Sequence, residues 1–420
     1  MNHALRPLRF ATTPSLLALL ALLPAYGCFE NEDLGGQDAT PPLQGPDAGR
    51  TSRPGTTHPD SGILSSHRDA ENDVAAAVDA SDATPAPVIT CPGTDGTILA
   101  TEAPGGIITI ALDSANLYWT FGPDFGGDLS RDGGWPANGQ VRSVPKTGGA
   151  ATTIASAEDF PAGIVVAGTS LYWGTWRGPS LAPTPVRWAP ISGGTPSDFA
   201  SPVGAPFGFG ELAITADDAN LYWAGGAAQL LSEPLGGGGV TDLTGSPGVV
   251  AFTAAVDATN IYWLGTDTQA LDISGPMGSG AALAVFAAPK TGGTAQVVAS
   301  YGLDIAPTPY NGIAADATGL YWSDPYGSIM TVPSVGATPV TLAAGSSGTV
   351  GWSGGPLAMD ATNVYWADEN GGPATLRSVP KAGGTTTTIA TGETQTQSVA
   401  VDESFIYWAN GCGQIKKIAK

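Results

Sequence analysis

"DATNVYWADENGG", residues 360–372, places Tyr365 beside Trp366 five residues after Asp360. The Tyr-Trp pair recurs at 118–119, 172–173, 222–223, 262–263, 321–322, 365–366 and 407–408. Asp113, Asp217, Asp257, Asp316, Asp360 and Asp402 stand five residues before the Tyr; the second copy, "AGTSLYW", lacks the acid. A second phrase follows in most copies: "VRSVPKTGG" from Val141, "VRWAPISGG" from Val186, "FAAPKTGG" from Phe286 and "LRSVPKAGG" from Leu376, each ahead of a short run rich in Thr or Val. Each unit therefore offers four strand-length segments: an apolar run before the Asp, the Tyr-Trp strand, the strand before Pro and the Thr-rich strand. Four strands in 40–50 residues is the signature of a propeller blade.

The punctuation fits that reading. Asp and Asn bond their own backbone in tight turns, which makes "DATN" the turn between the first two strands, a and b. Proline cannot donate to a ladder and glycine accepts positive φ, which makes "PKTGG" the turn between strands c and d. In strand b the period of two sends Trp366 and Val364 to one side and Tyr365 to the other. Blades stack face to face, so both sides bury large rings, and the reading of Tyr-Trp is packing and of the Asp turn chemistry.

The last unit stops at "IKKIAK", 415–420, one strand short. "TDGTILATE", 94–102, aligns with the fourth strand of other units and precedes the first strand a. The expected fold is all-β: a seven-bladed β-propeller of four-stranded blades, its last blade closed by pairing 97–101 with 415–419, which removes a sheet edge. Cys91 and Cys412 flank this seam and are expected to form a disulfide, worth about 2–4 kcal/mol.

"NLYWT" and "NVYWADENGG", with the "VPK" and "GG" that follow, resemble the YWTD-type repeats of propeller domains and the Tyr-Trp-repeat lipoproteins of Gram-negative bacteria, myxobacteria especially. "YWSD" at Tyr321 to Asp324 is nearest to the family's tetrapeptide. The resemblance covers 94–420 and implies the fold rather than an activity.

Outside the repeats, Arg6 and Arg9 precede an apolar run from Phe10 to Leu23, too short to span a membrane, so residues 1–27 read as an export signal. Pro24 to Cys28 resembles the lipobox of bacterial lipoproteins, in which the signal is cut before a Cys that carries diacylglycerol; ordinary cleavage after Gly27 is the alternative. Residues 28–90 are rich in Asp, Pro, Ala, Ser and Thr and nearly devoid of aromatics, too little apolar surface to offset ordering, and read as a flexible tether. Residues 91–420 form the propeller. The expected location is the cell envelope, at the outer membrane or cell surface, with membrane contact only through the lipid on Cys28.

A formal net charge of −21 disfavours nucleic acid, whose binding rests on Lys and Arg neutralising phosphates. No His occurs in 91–420, which removes His-based nucleophile activation and His-ligated zinc. "GWSGG", 351–355, matches a nucleophile-elbow pattern in Ser353 but lacks the strand-turn-helix context. "GGGG", 236–239, occupies a c–d turn and lacks a phosphate-loop Lys. "DFGGDLSRDGG" groups Asp124, Asp128 and Asp132 at a four-residue spacing that matches no calcium loop. The sequence calls for no catalytic residue, metal or cofactor.

The a–b and c–d turns emerge at one end of a propeller and the b–c and d–a connections at the other. The first end repeats itself, whereas the second carries long insertions after Trp119 and Trp263 and collects Phe121, Phe125, Trp135, Trp176, Phe207, Phe209, Tyr301, Tyr310, Tyr326 and Trp352. Trp135, Trp176, Trp352, Phe125, Phe209 and Tyr310, with Asp124, Asp128 and Asp132, are the candidate binding face, suited to stacking on sugar rings or peptide side chains. The other account of these rings is that they pin long loops. The functional expectation is a monomeric envelope lipoprotein whose propeller binds a glycan, a peptide or an envelope protein. The alternative is a carboxylate-dependent polysaccharide hydrolase or lyase, which needs a pair of acids about 5–10 Å apart.

Overall fold

The computed structural model describes residues 91–104, 106–122, 138–175, 185–200, 213–225, 229–243, 249–267, 283–301, 312–345, 354–368 and 373–420. Every regular element among them is a strand, and the strands form seven four-stranded antiparallel sheets. β1 (Thr97–Thr101) is set apart from its blade in sequence. Blade 1 is β2 (Ile107–Leu112), β3 (Asn116–Phe121), β4 (Gly139–Pro145) and β5 (Thr152–Glu158). Blade 2 is β6 (Pro161–Ala167), β7 (Ser170–Thr175), β8 (Val186–Pro190) and β9 (Ser197–Ala200). Blade 3 is β10 (Ile214–Ala216), β11 (Asn220–Gly225), β12 (Gln229–Pro234) and β13 (Thr241–Asp242). Blade 4 is β14 (Val249–Val256), β15 (Asn260–Asp267), β16 (Leu283–Pro289) and β17 (Gln296–Ser300). Blade 5 is β18 (Ile313–Asp316), β19 (Gly319–Ser323), β20 (Ile329–Val332) and β21 (Val340–Ala343). Blade 6 is β22 (Gly354–Met359), β23 (Asn363–Asp368), β24 (Ala374–Pro380) and β25 (Thr387–Glu393). Blade 7 is β26 (Thr396–Val401), β27 (Phe405–Asn410) and β28 (Gln414–Ala419), completed by β1.

The core repeats one contact seven times. Because side chains alternate along strand b, Trp faces the preceding blade and Tyr the following one. Trp119 thus packs with Tyr407, Trp173 with Tyr118, Trp223 with Tyr172, Trp263 with Tyr222, Trp322 with Tyr262, Trp366 with Tyr321 and Trp408 with Tyr365. All fourteen rings are buried. Each removes about 150–250 Å² from water, an upper-bound contribution of about 4–6 kcal/mol per ring.

Closure follows the expected pairing with a shifted register. Thr97 and Ile98 oppose Lys417 and Lys416; a bulge then brings Ala100 and Thr101 opposite Ile415 and Gln414. Bulges also interrupt the c–d pairing of blades 1, 2, 4, 5 and 6, which breaks up the outer edges against strand addition. Cys91 and Cys412 are disulfide-bonded, 321 residues apart. Cys412 lies in the b–c turn of blade 7, so the chain enters the propeller at the loop end. It then runs down the blade 6–7 boundary, where Thr391 donates its backbone N–H to Asp95 at 2.9 Å. It reverses at Gly96, whose φ of +79° and closeness to the Trp408 ring, 2.5 Å from where a Cβ would sit, admit only glycine.

Candidate functional site

The two ends of the propeller differ in construction. At the turn end, Asp402 Oδ1 accepts the backbone N–H groups of Ser404 and Phe405, both at 2.9 Å, and Oδ2 accepts the Tyr407 hydroxyl at 2.9 Å. The same pattern holds Tyr118 on Asp113, Tyr222 on Asp217, Tyr262 on Asp257 and Tyr365 on Asp360. In blade 5 the Tyr321 hydroxyl meets Thr318 Oγ1 instead, at 3.0 Å. The Asp is therefore turn chemistry, and it also ties down the tyrosine of the repeat.

A cation completes the motif. The Lys of each Pro-Lys turn, and Lys420 at the equivalent position after Ala419, crosses to the Asp of the preceding blade: Lys146 to Asp402 at 2.9 Å, Lys290 to Asp217 at 2.6 Å, Lys420 to Asp360 at 2.5 Å, and Lys381 to Asp316. Lys146, Lys381 and Lys420 also sit 5.2–5.6 Å from the ring centres of Tyr407, Tyr321 and Tyr365. Burial alone would raise the Asp217 carboxyl, but Lys290, the N–H groups of Ala219 and Asn220 and the Tyr222 hydroxyl bring it down to about 2. Asp360 and Asp402 are lowered in the same way. Burial and the neighbouring Asp push Tyr118, Tyr262 and Tyr365 up to about 12.

At the loop end a second set of charges crosses the blade boundaries. Arg142, Arg187 and Lys416 lie directly opposite Trp119, Trp173 and Trp408 on strand c and so face the preceding blade. Each meets a Glu at the end of that blade's outer strand. Arg142 Nη1 bonds Glu102 at 2.5 and 2.7 Å, Arg187 Nε bonds Glu158 at 3.1 Å, and Lys416 Nζ bonds Glu393 at 2.6 Å. Glu158 also accepts the Trp173 indole N–H at 3.0 Å, and Glu393 accepts from Asn410 Nδ2 at 2.8 Å. The Lys416–Glu393 pair is closed off from water, with side chains 1% and 0% exposed. In blades 3, 4 and 5 the residue opposite Trp is Leu231, Phe286 or Met330.

These bonds bear on the hydrolase or lyase alternative. Glu102, Glu158 and Glu393 each hold a cation across a boundary, so they are not a free acid and base. Asp368 is paired with Arg377 of its own blade at 3.1 Å. Asp324, the acid of "YWSD", accepts the N–H groups of Tyr326 and Ser328 at 2.9 and 2.8 Å and shapes the b–c hairpin of blade 5. Its burial raises its carboxyl above the usual range. Among the described residues no group of three His, Cys, Asp or Glu is placed to hold a metal ion.

Trp135, Trp176, Trp352, Phe125, Phe207, Phe209, Tyr310, Asp124, Asp128 and Asp132 lie outside the described residues, as do Ser353 and Cys28. Three other rings of the loop end are in view, and they divide. The Phe121 ring lies against the backbone of Gly106, 2.4 Å from where a Cβ there would sit, and the Tyr301 hydroxyl accepts the Trp322 indole N–H at 2.5 Å. Both pin the frame. Tyr326 is 38% exposed, the one large aromatic side chain at that level among the described residues, on a hairpin held by Asp324. "GWSGG" runs into a strand, β22, rather than a helix, and "GGGG" is the c–d turn of blade 3.

The boundary charges were missed from sequence alone. Their signal was present, since Lys or Arg recurs at fixed positions in "VRSVPK", "LRSVPK" and "IKKIAK". Their acidic partners belong to the preceding blade, which no pattern within one repeat reveals.

No protein-family model matches the sequence, and no curated protein matches it either. Solved structures similar to the chain include that of a nidogen/laminin complex, at 16% identity over 59% of this chain and 89% of that one, TM-score 0.39. The WD40 β-propeller domain of Doa1 is similar at 10% identity over 78% and 98%, TM-score 0.49. The computationally designed Ika8 protein is similar at 10% identity over 77% and 100%, TM-score 0.46. The blade count rests on the hydrogen-bonded sheets themselves: the chain is a seven-bladed β-propeller.

Proposed function

We propose that the protein is an exported lipoprotein of the cell envelope, anchored through Cys28, whose propeller holds a ligand or partner protein at its loop end. The observation that carries this reading is the contrast between the two ends. The a–b connections are two or three residues long and the c–d turns six or seven, and one Asp–Tyr–Lys scheme recurs among them. The b–c connections range from 411–413 in blade 7 to 122–138 in blade 1. Uniform turns serve the frame, whereas variation on a rigid frame is where recognition is built. Rings carried on such a frame lose little freedom on binding and suit stacking on sugar or peptide surfaces.

The test is a glycan and peptide binding screen on the full mature chain, followed by Trp135→Ala, Trp176→Ala, Trp352→Ala and Tyr326→Ala. Loss of binding with Tm held within a few degrees supports the loop end as the site. Thr147→Ala, in a c–d turn, serves as the control for the opposite end. If Thr147→Ala abolishes binding while the four ring variants retain it, the assignment of the ends is wrong. Intact mass of membrane-extracted protein checks the anchor: a mature chain starting at Cys28 without acyl mass refutes lipidation.

A further inference from the structure

The cross-boundary bonds are unequally distributed around the ring. Blades 7 and 1 share Asp402–Lys146 and Glu102–Arg142, and blades 6 and 7 share Asp360–Lys420 and Glu393–Lys416. Blades 1 and 2 share Glu158–Arg187, blades 3 and 4 Asp217–Lys290, and blades 5 and 6 Asp316–Lys381. Blades 4 and 5 share the neutral bond from Trp322 to Tyr301. Among the described residues no side-chain hydrogen bond or ion pair joins blade 2 to blade 3.

The loss there is concerted. Ala167 stands where the other six blades have the turn Asp, Leu235 follows Pro234 where blades 1, 4 and 6 have Lys, and Leu231 stands opposite Trp223 where blades 1, 2, 6 and 7 have Arg or Lys; the boundary between blades 2 and 3 loses the acid and both cations together. Among the described residues what remains is apolar contact of Tyr172, Val186, Ala200, Leu221, Trp223 and Leu231. Such contact is non-directional and tolerates sliding, whereas ion pairs hold one geometry. Chain length agrees with this. The d–a connection from blade 2 to blade 3, 201–213, is the longest of the seven, while 159–160 and 394–395 link the bonded blades 1–2 and 6–7.

We propose that the boundary between blades 2 and 3 is the parting line of the ring, where two blades separate and re-close while the other boundaries hold. The loop end can then change its width around whatever it grips without unfolding a blade. Proteins open locally in units whose free energies lie well below that of global unfolding, and the boundary with the fewest directional bonds among the described residues is where such opening falls.

Three equivalent buried alanines make the test internal. Ala155, Ala200 and Ala390 lie opposite Val141, Val186 and Leu376 and line the boundaries 1–2, 2–3 and 6–7. Ala155→Cys, Ala200→Cys and Ala390→Cys are made singly in the full oxidised chain, and native-state thiol trapping is read by peptide mass mapping. The thiol at 200 should react about tenfold faster than those at 155 and 390. Adding Ala167→Asp with Leu235→Lys, which supplies the missing bond, should slow position 200 alone. Equal rates at the three positions overturn the proposal, as does a bond that slows all three alike or none. If Ala200→Cys does not fold, Val186→Cys against Val141→Cys repeats the comparison on the same boundaries.

Discussion

Removing one partner of the Lys416–Glu393 pair should be far more damaging than removing both. Lys416→Met leaves the Glu393 carboxylate fully enclosed, with Asn410 Nδ2 at 2.8 Å as its remaining donor among the described side chains. Breaking a buried pair from one side costs about 3–5 kcal/mol, because the surviving charge can neither hydrate nor find a counter-ion. At the lower end of the usual 2–4 °C per kcal/mol for a domain of this order, Tm should fall by about 6–10 °C. Glu393→Gln is comparable from the other side, since the buried Lys416 ammonium then loses its counter-charge and is left with neutral partners, the Gly93 carbonyl at 3.1 Å and the Trp408 ring at 5.3 Å among them. In the double variant Gln still accepts from Asn410 and Met fills the path of the lysine stem, so no charge is stranded. Its loss should be about 1–2 kcal/mol, smaller than that of either single variant. The assay is calorimetric or fluorescence melting of the four proteins with the Cys91–Cys412 bond oxidised, which keeps the nearby closure constant. A double variant that falls by the sum of the two singles would falsify the claim that the charges are coupled and enclosed.

The turn-end acids should give a steep acid limb: carboxyls depressed in the fold stabilise it above the unfolded value near 4, and that contribution is lost as pH falls toward about 2. Asp217→Asn should flatten this limb in a pH series of Tm, and an unchanged limb refutes the assignment. The raised tyrosines act oppositely: Tyr118, Tyr262 and Tyr365 stabilise the fold below pH 10, and the contribution is lost as pH rises from there to about 12. Finally, Asp113 has its Tyr118 and backbone bonds, but blade 2 offers Ile191 where blades 1, 4 and 6 have Lys after the proline. A double-mutant cycle of Ile191→Lys with Asp113→Asn should show a coupling of about 0.2–1 kcal/mol, the size of a part-exposed ion pair, and zero coupling would sink the geometry.

The repeat unit was legible in sequence because every signal it needs is local. Asp, Asn, Pro and Gly set the turns within a few residues of the strands they join, and the period of two sends Tyr365 and Trp366 to opposite faces before any tertiary contact forms. The missing last strand and the spare one at 97–101 were likewise countable, which is why the closure and the Cys91–Cys412 pairing could be expected. Tertiary structure decided which repeat touches which. That Lys146 reaches Asp402 and Lys416 reaches Glu393 follows from ring closure and blade stacking, which bring together residues 256 and 23 positions apart. Sequence alone likewise could not show that Tyr301 pins the frame while Tyr326 stands exposed, because burial is a property of the assembled neighbours rather than of the residue. The unequal bonding of the seven boundaries belongs to the same level. Ala167, Leu231 and Leu235 are ordinary residues in the chain, and only the stacking of blade 3 on blade 2 puts all three along one boundary.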